Sequence, residues 1–177
     1  MLTYRNLKSN PNCYRRPSMN EKMIKSNLLE MLGDGAAHLG IEKVLEGFPF
    51  ERAGELFEPL EHSMWMLVEH LRIVNRDLID WVTAEEYREK PFPSGYWPDP
   101  APLSLQAWKD VIDSATRDMN TMKGWIERED FDISAPLKRR SSHSAFREIL
   151  LTIAHNGYHI GQMVDLRALL GIPVKDW

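Results

Sequence analysis

Apolar positions recur along this chain with helical spacing, not with the alternation of strands. Ile24, Leu28, Leu29 and Leu32 share one side of a helix expected over residues 21–32, with Asn20 placed to cap it. Gly33-Asp34-Gly35 breaks that run. Leu39, Val44 and Leu45 mark a second helical piece over about residues 36–46, ended by Gly47-Phe48-Pro49. Residues 50–61 read as a connector with a helical turn near 53–57. The next helix runs over about 63–81, where Leu67, Leu71, Val74, Leu78 and Trp81 step by four and three and make a core seam. Ser104 can cap a third long helix over about 105–129, with Trp108, Val111, Ile112, Ala115, Met119, Met122 and Ile126 on its core side. The last helix is expected over about 143–170, and Gly171 and Pro173 stop it.

The connections are as telling as the helices. Residues 83–103 carry five prolines around Tyr96 and Trp97. Loops of about 20 residues are uncommon in compact domains unless they cross a bundle or carry function. This one reads as a packed crossover, which lets two consecutive helices run parallel. Thr83 and Glu86 have capping-box spacing, so a short helix is expected over about 84–89. Residues 131–142 read as loop, and no segment alternates as a strand would. The fold class is all-α. Residues 1–18, with two prolines, several asparagines and no apolar period, read as an N-terminal arm, and residues 19–177 as one domain.

Composition narrows the function classes. The formal net charge is −4, so nothing electrostatic favours nucleic acid, and the basic run Lys138-Arg139-Arg140 reads as a solvated loop. Cys13 is the only cysteine, which excludes an intrachain disulfide and gives no sign of secretion. No stretch approaches the ~18–20 apolar residues of a membrane span, and the N-terminus lacks a signal-type hydrophobic core. A cytoplasmic protein is expected.

Candidate chemistry centres on the stretch AHNGYHIGQMVDLRALLG. His155 and His159 are four residues apart, so on a helix both imidazoles project from one side and could grip one metal ion. A third ligand must come from elsewhere, and MWMLVEHLRIVN offers His70, inside the seam between Leu67 and Val74. Three histidines would leave a coordination position open, which makes a metal site reactive. The competing reading makes them core histidines, each with an ordinary partner, since burying an unsatisfied polar group costs ~1–3 kcal/mol. Glu69 adjoins His70 in sequence, but neighbours on a helix point apart by about 100°, so it is not assigned as a base. Gln162 shares the histidine stripe and is placed to orient a ligand. Gly157 costs ~1 kcal/mol of helix propensity, which a close helix approach or room for a ligand would justify.

These stretches, with GDGAAHLG, LEHSMWMLVEHLRIVNRDLIDW and PSGYWPDPAP, make the chain resemble the DinB-like superfamily of metal-binding four-helix bundles, from about residue 20 to 171. The resemblance implies an up-down-down-up bundle with a long crossover between the second and third bundle helices. It also implies a divalent metal held at the positions of His70, His155 and His159. Some relatives are thiol-dependent transferases or isomerases, so it implies a zinc- or nickel-dependent enzyme that activates a low-molecular-weight thiol against a small electrophile. The alternative is a non-catalytic, stress-related metal- or ligand-binding protein. His38 and His62 fall in matching stretches; together with His143 they are read as cap or surface residues.

The last helix carries two separated apolar stripes, one through Ile149, Ile153, Ile160 and Val164 and one through His155, His159, Gln162 and Leu166. Trp65, Met66 and Val68 widen the apolar surface of the second long helix in the same way. One bundle core uses only part of a helix, so a symmetric homodimer is expected to cover the remainder.

Overall fold

The structure, a computed structural model, describes residues 19–33, 37–99, 101–102 and 104–175. The arm expected over residues 1–18 lies outside the described residues.

Among the described residues there are five α-helices: α1 (Met19–Leu32), α2 (Ile41–Leu45), α3 (Met64–Thr83), α4 (Leu105–Glu127) and α5 (Ala145–Leu169). The starts of the three long helices α3, α4 and α5 follow capping chemistry, whereas α2 has no side-chain cap and Asn20, expected to cap α1, lies inside it. Ser63, Ser104 and Ser144 each turn an extended backbone into a helix and accept a hydrogen bond from the N–H three residues on, at 3.1–3.3 Å. The last helix ends in a Schellman motif. Gly171, at φ 73°, gives its N–H to the Ala168 carbonyl, and Ile172 gives its own to Arg167. The Arg167 side chain is buried there, donating to the carbonyls of Val44, Glu46 and Ile172, which fastens α2 to the end of α5.

Two apolar clusters make the core. The first joins the N-terminal halves of α3 and α4 (Leu67, Leu71, Trp108, Val111) to α2 and the C-terminal half of α5 (Ile160, Met163, Leu166). The second joins the C-terminal parts of α3 and α4 (Ile79, Met122, Ile126) to Leu28 and Leu32 of α1 and the start of α5 (Ala145, Ile149). Thus α3 and α4 run the same way and α5 runs against both, and the proline-rich crossover makes the parallel pair possible. Between the clusters lie buried polar side chains: Asn75, Asp118, Thr152 and Asn156. Asn75 and Asn156 both aim their amides at the Met119 sulfur, at 3.8 and 3.3 Å.

Several expectations need correction. No helix forms over 84–89. The Thr83 hydroxyl donates back to the Ile79 carbonyl and so closes α3, leaving nothing to cap a new helix. The turn expected near 53–57 forms upstream, as a 3-10 turn at Phe50–Arg52 led in by Pro49. The loop over 131–142 contains two short antiparallel strands, β1 (Pro136–Leu137) and β2 (Arg140–Ser144). Strands this short show no readable alternation. Helix α2 is confined to Ile41–Leu45, shorter than expected, and residues 34–36 lie outside the described residues.

The reasoning toward a dimer also changes. Both stripes of α5 are covered within the chain: Ile149 and Leu166 are fully buried, and so is Val68 of α3. Trp65 packs against the first cluster together with Trp97 from the crossover. The large apolar side chains that α5 leaves exposed are others: Leu150, Leu151, Tyr158 and Leu169. No helix among the described residues is long and apolar enough to cross a membrane.

Candidate metal centre

His70 comes from the middle of α3, and His155 and His159 from adjacent turns of α5. The antiparallel pairing of these helices brings the three rings together, with centroids 4.6–5.1 Å apart. One ligand atom from each lies within 4.8 Å of the others, and the Nε2 atoms of His70 and His155 are 3.2 Å apart. Tetrahedral coordination with bonds of about 2.0–2.1 Å puts ligand nitrogens roughly 3.3 Å apart, so this spacing already suits an ion.

The far side of each ring decides which nitrogen is free. A carbonyl can only accept, so the His70 Nδ1–H donates to the Tyr96 carbonyl (2.8 Å). In the same way the His159 Nδ1–H donates to Gln162 Oε1 (2.6 Å). Both bonds fix the Nδ1–H tautomer and leave the Nε2 lone pair for a metal, the usual arrangement of a histidine ligand. Gln162 thus orients a candidate ligand, as its place on the stripe led us to expect. His155 differs: its Nδ1 is buried and has no hydrogen-bond partner among the described residues.

Burial also keeps these rings neutral. It pushes the imidazolium pKa of His70 from 6.5 down to about 4, opposed by the bond to Tyr96 and helped by the neighbouring histidines. It pushes His155 to about 4 in the same way, with His159 and His70 adding to the shift. His159 is also lowered, chiefly by burial, against the bond to Gln162. A metal needs neutral imidazole, and this site supplies it at neutral pH. Three converging lone pairs with no carboxylate among them fit a divalent ion of intermediate softness. Glu69 is turned away, bound two-pronged to Arg72 at 2.6 Å.

The crossover roofs the site. Trp97 lies flat on His70, centroids 3.9 Å apart and planes 3° apart, and meets His159 edge-on. His62 stacks on the other face of Trp97 at 4.0 Å. His62 is therefore neither a cap nor a plain surface residue; it stands one ring removed from the trio. His38 is also no surface residue. Its Nδ1–H donates to the Leu39 carbonyl, and its ring lies where a Cβ on Gly157 would approach to 3.1 Å. That close approach gives Gly157 its reason. His143 is half-buried and bonded to Glu148. Sequence reading missed the roles of Tyr96 and Trp97, although PSGYWPDPAP was singled out, because a backbone carbonyl acting as a partner leaves no mark on residue type.

A helical bundle with a three-histidine centre between two antiparallel helices is the class this fold and site define. The family profile of the DinB superfamily matches residues 15–163, and the chain belongs to that superfamily. No curated protein and no solved structure gives a match.

Proposed function

We propose that this chain is a metal-dependent transferase of the DinB superfamily, using a three-histidine zinc or nickel centre to activate a low-molecular-weight thiol against a small electrophile. The observation that carries metal binding is the convergence of three Nε2 lone pairs, two of them fixed by acceptors behind the ring. Imidazole donors suit zinc and nickel alike. When bound, the ion supplies Lewis acidity that lowers the pKa of a thiol or water toward neutrality. The chain's own residues do the rest. His70, His155 and His159 hold the ion while adding no negative charge to offset it. Tyr96 and Gln162 fix the ring orientations, and Trp97 keeps water from one face of His70. A cleft of about 290 Å³ is lined by His62, Tyr158, Gln162 and Leu166; it reaches the site through Gln162, the partner of His159, and none of the three histidines lines it.

Metal analysis of protein purified without an affinity tag tests the first half: close to one zinc or nickel per chain is expected. Consumption of a small thiol against an aryl halide tests the second. Turnover that a chelator abolishes and zinc restores supports it; turnover indifferent to the chelator rejects it.

A second reading has its own support. His70 and His159 are only 6% and 5% exposed, and Trp97 covers the first. A site this enclosed also suits a non-catalytic metal-binding protein, and metal without thiol turnover would select that reading. We further propose a homodimer through the outer face of α5, where Leu150, Leu151 and Leu169 are exposed. Light scattering that gives a single-chain mass at all concentrations would reject it.

A further inference from the structure

Asp77 lies seven residues beyond His70 on α3, two turns along the same side. It is buried, and its Oδ2 accepts two phenol hydrogen bonds, from Tyr87 and Tyr96, both 2.9 Å long. Burial, then the bond to Asp77 and its charge, raises the pKa of both phenols, so both remain donors. A carboxylate buried against two neutral donors is a costly way to pin a loop. What the loop carries explains the arrangement. Tyr96 presents at its other end the carbonyl that takes the Nδ1–H of His70, and the next residue, Trp97, is the ring stacked on His70. Around them the crossover has no helix, and its local backbone bonds are those of a turn, Gly95 to Pro91 and Tyr96 to Pro93. The Tyr96 phenol bond to Asp77 ties this turn to α3 beside the carbonyl's bond to His70.

We propose that Asp77 is a positioning residue for the metal centre: through the Tyr96 phenol it holds the Tyr96 carbonyl against His70, and so fixes the ring that presents Nε2 to the ion. The inference rests on the three-histidine reading. Tyr87 supplies an internal control. It makes a bond of the same length to the same oxygen and meets Tyr96 only at the phenol, while no part of its own backbone bonds to His70. Its own ring is held elsewhere, edge-on to Trp81 and under Arg139.

The experiment measures zinc affinity of the full chain by competition with a chromophoric chelator, beside the melting temperature of the metal-free protein. Tyr96→Phe should weaken zinc by about tenfold, the lower end of what loss of a ligand-orienting partner costs. Tyr87→Phe should lower the melting temperature comparably and leave zinc affinity as it was. Asp77→Ala should weaken zinc as Tyr96→Phe does, and Asp77→Asn, which keeps an acceptor oxygen, should recover most of the loss. Equal weakening by Tyr87→Phe and Tyr96→Phe would reduce Asp77 to a structural anchor and overturn the proposal, as would unaltered affinity in Tyr96→Phe. Wild-type protein that takes up no zinc would instead defeat the three-histidine reading itself.

Discussion

Two side-chain groups built around histidine, one about His143 just before α5 and one within the helix, differ in what faces the ring nitrogens. Near its start, His143 bonds to Glu148 at 2.9 Å, while Arg147 reaches both oxygens of the same carboxylate at 2.9 and 3.0 Å. Glu148 is only 1% exposed, so the cluster answers a buried acid with local donors. That histidine is spent on structure. Near the middle of α5, His155 and His159 meet His70 with no carboxylate among them, and their lone pairs face one another. Both groups are shielded and lined by aromatic rings, Trp81 in one case and Trp97 in the other. Burial therefore does not mark a binding site. A converging set of ring nitrogens with no carboxylate among them does, and the partners behind His70 and His159 hold two of those rings in place.

Substitution within each group should have the largest effect. His155→Ala should lose zinc by at least about a hundredfold, since two imidazoles make a poor site for the ion. His143→Ala should leave zinc affinity intact and destabilise the fold by about 1–3 kcal/mol, the cost of stripping a donor from a buried acceptor. Calorimetric titration and thermal melts of the two variants read both arms; zinc loss in His143→Ala would erase the distinction. Next in size is linkage. Zinc at ~1,000 times its dissociation constant should stabilise the native state by ~4 kcal/mol. His155→Ala should remove that gain and His143→Ala should keep it.

The third test is pH. His70 and His155 have folded-state values near 4, against 6.5 when free. Below pH 6.5 the unfolded chain takes up protons that the folded chain refuses. Stability of the metal-free protein should therefore fall as pH drops from 6.5 toward about 4, and level off below. A His70→Ala, His155→Ala double variant should show a shallower fall, measurable by denaturant titration at stepped pH. If the double variant keeps the wild-type slope, the rings are not held neutral by burial. The smallest effect lies behind α5. Gly157→Ala should gain ~1 kcal/mol of helix propensity in a His38→Ala background. It should gain less with His38 present, because the new methyl would stand 3.1 Å from that ring.

Much of this was legible in particular residues. Ser104 announced one helix start, and the four-residue spacing of His155 and His159 put them on one side of α5. Gln162, one turn on, was marked by the same geometry. What failed was local and short-ranged. Thr83 was read as a cap for a following helix, but its hydroxyl turned back to Ile79. Strands of two and five residues carried no periodic signal. The apolar stripes of α5 were read as surplus because the crossover's cover, through Trp97, could not be seen from the helix alone.

The sequence by itself determined the long helices, the Ser104 cap and the apolar faces, because these depend on spacing within one turn of chain. It also placed two histidines together, since a single helix sets their distance. Tertiary structure alone decided that His70 joins them from 85 residues away, that the Tyr96 carbonyl and the Trp97 ring close over it, and that Asp77 holds that closure. Those contacts join segments far apart in the chain, and their geometry is set by how α3, α5 and the crossover pack, a quantity no local pattern of residues encodes.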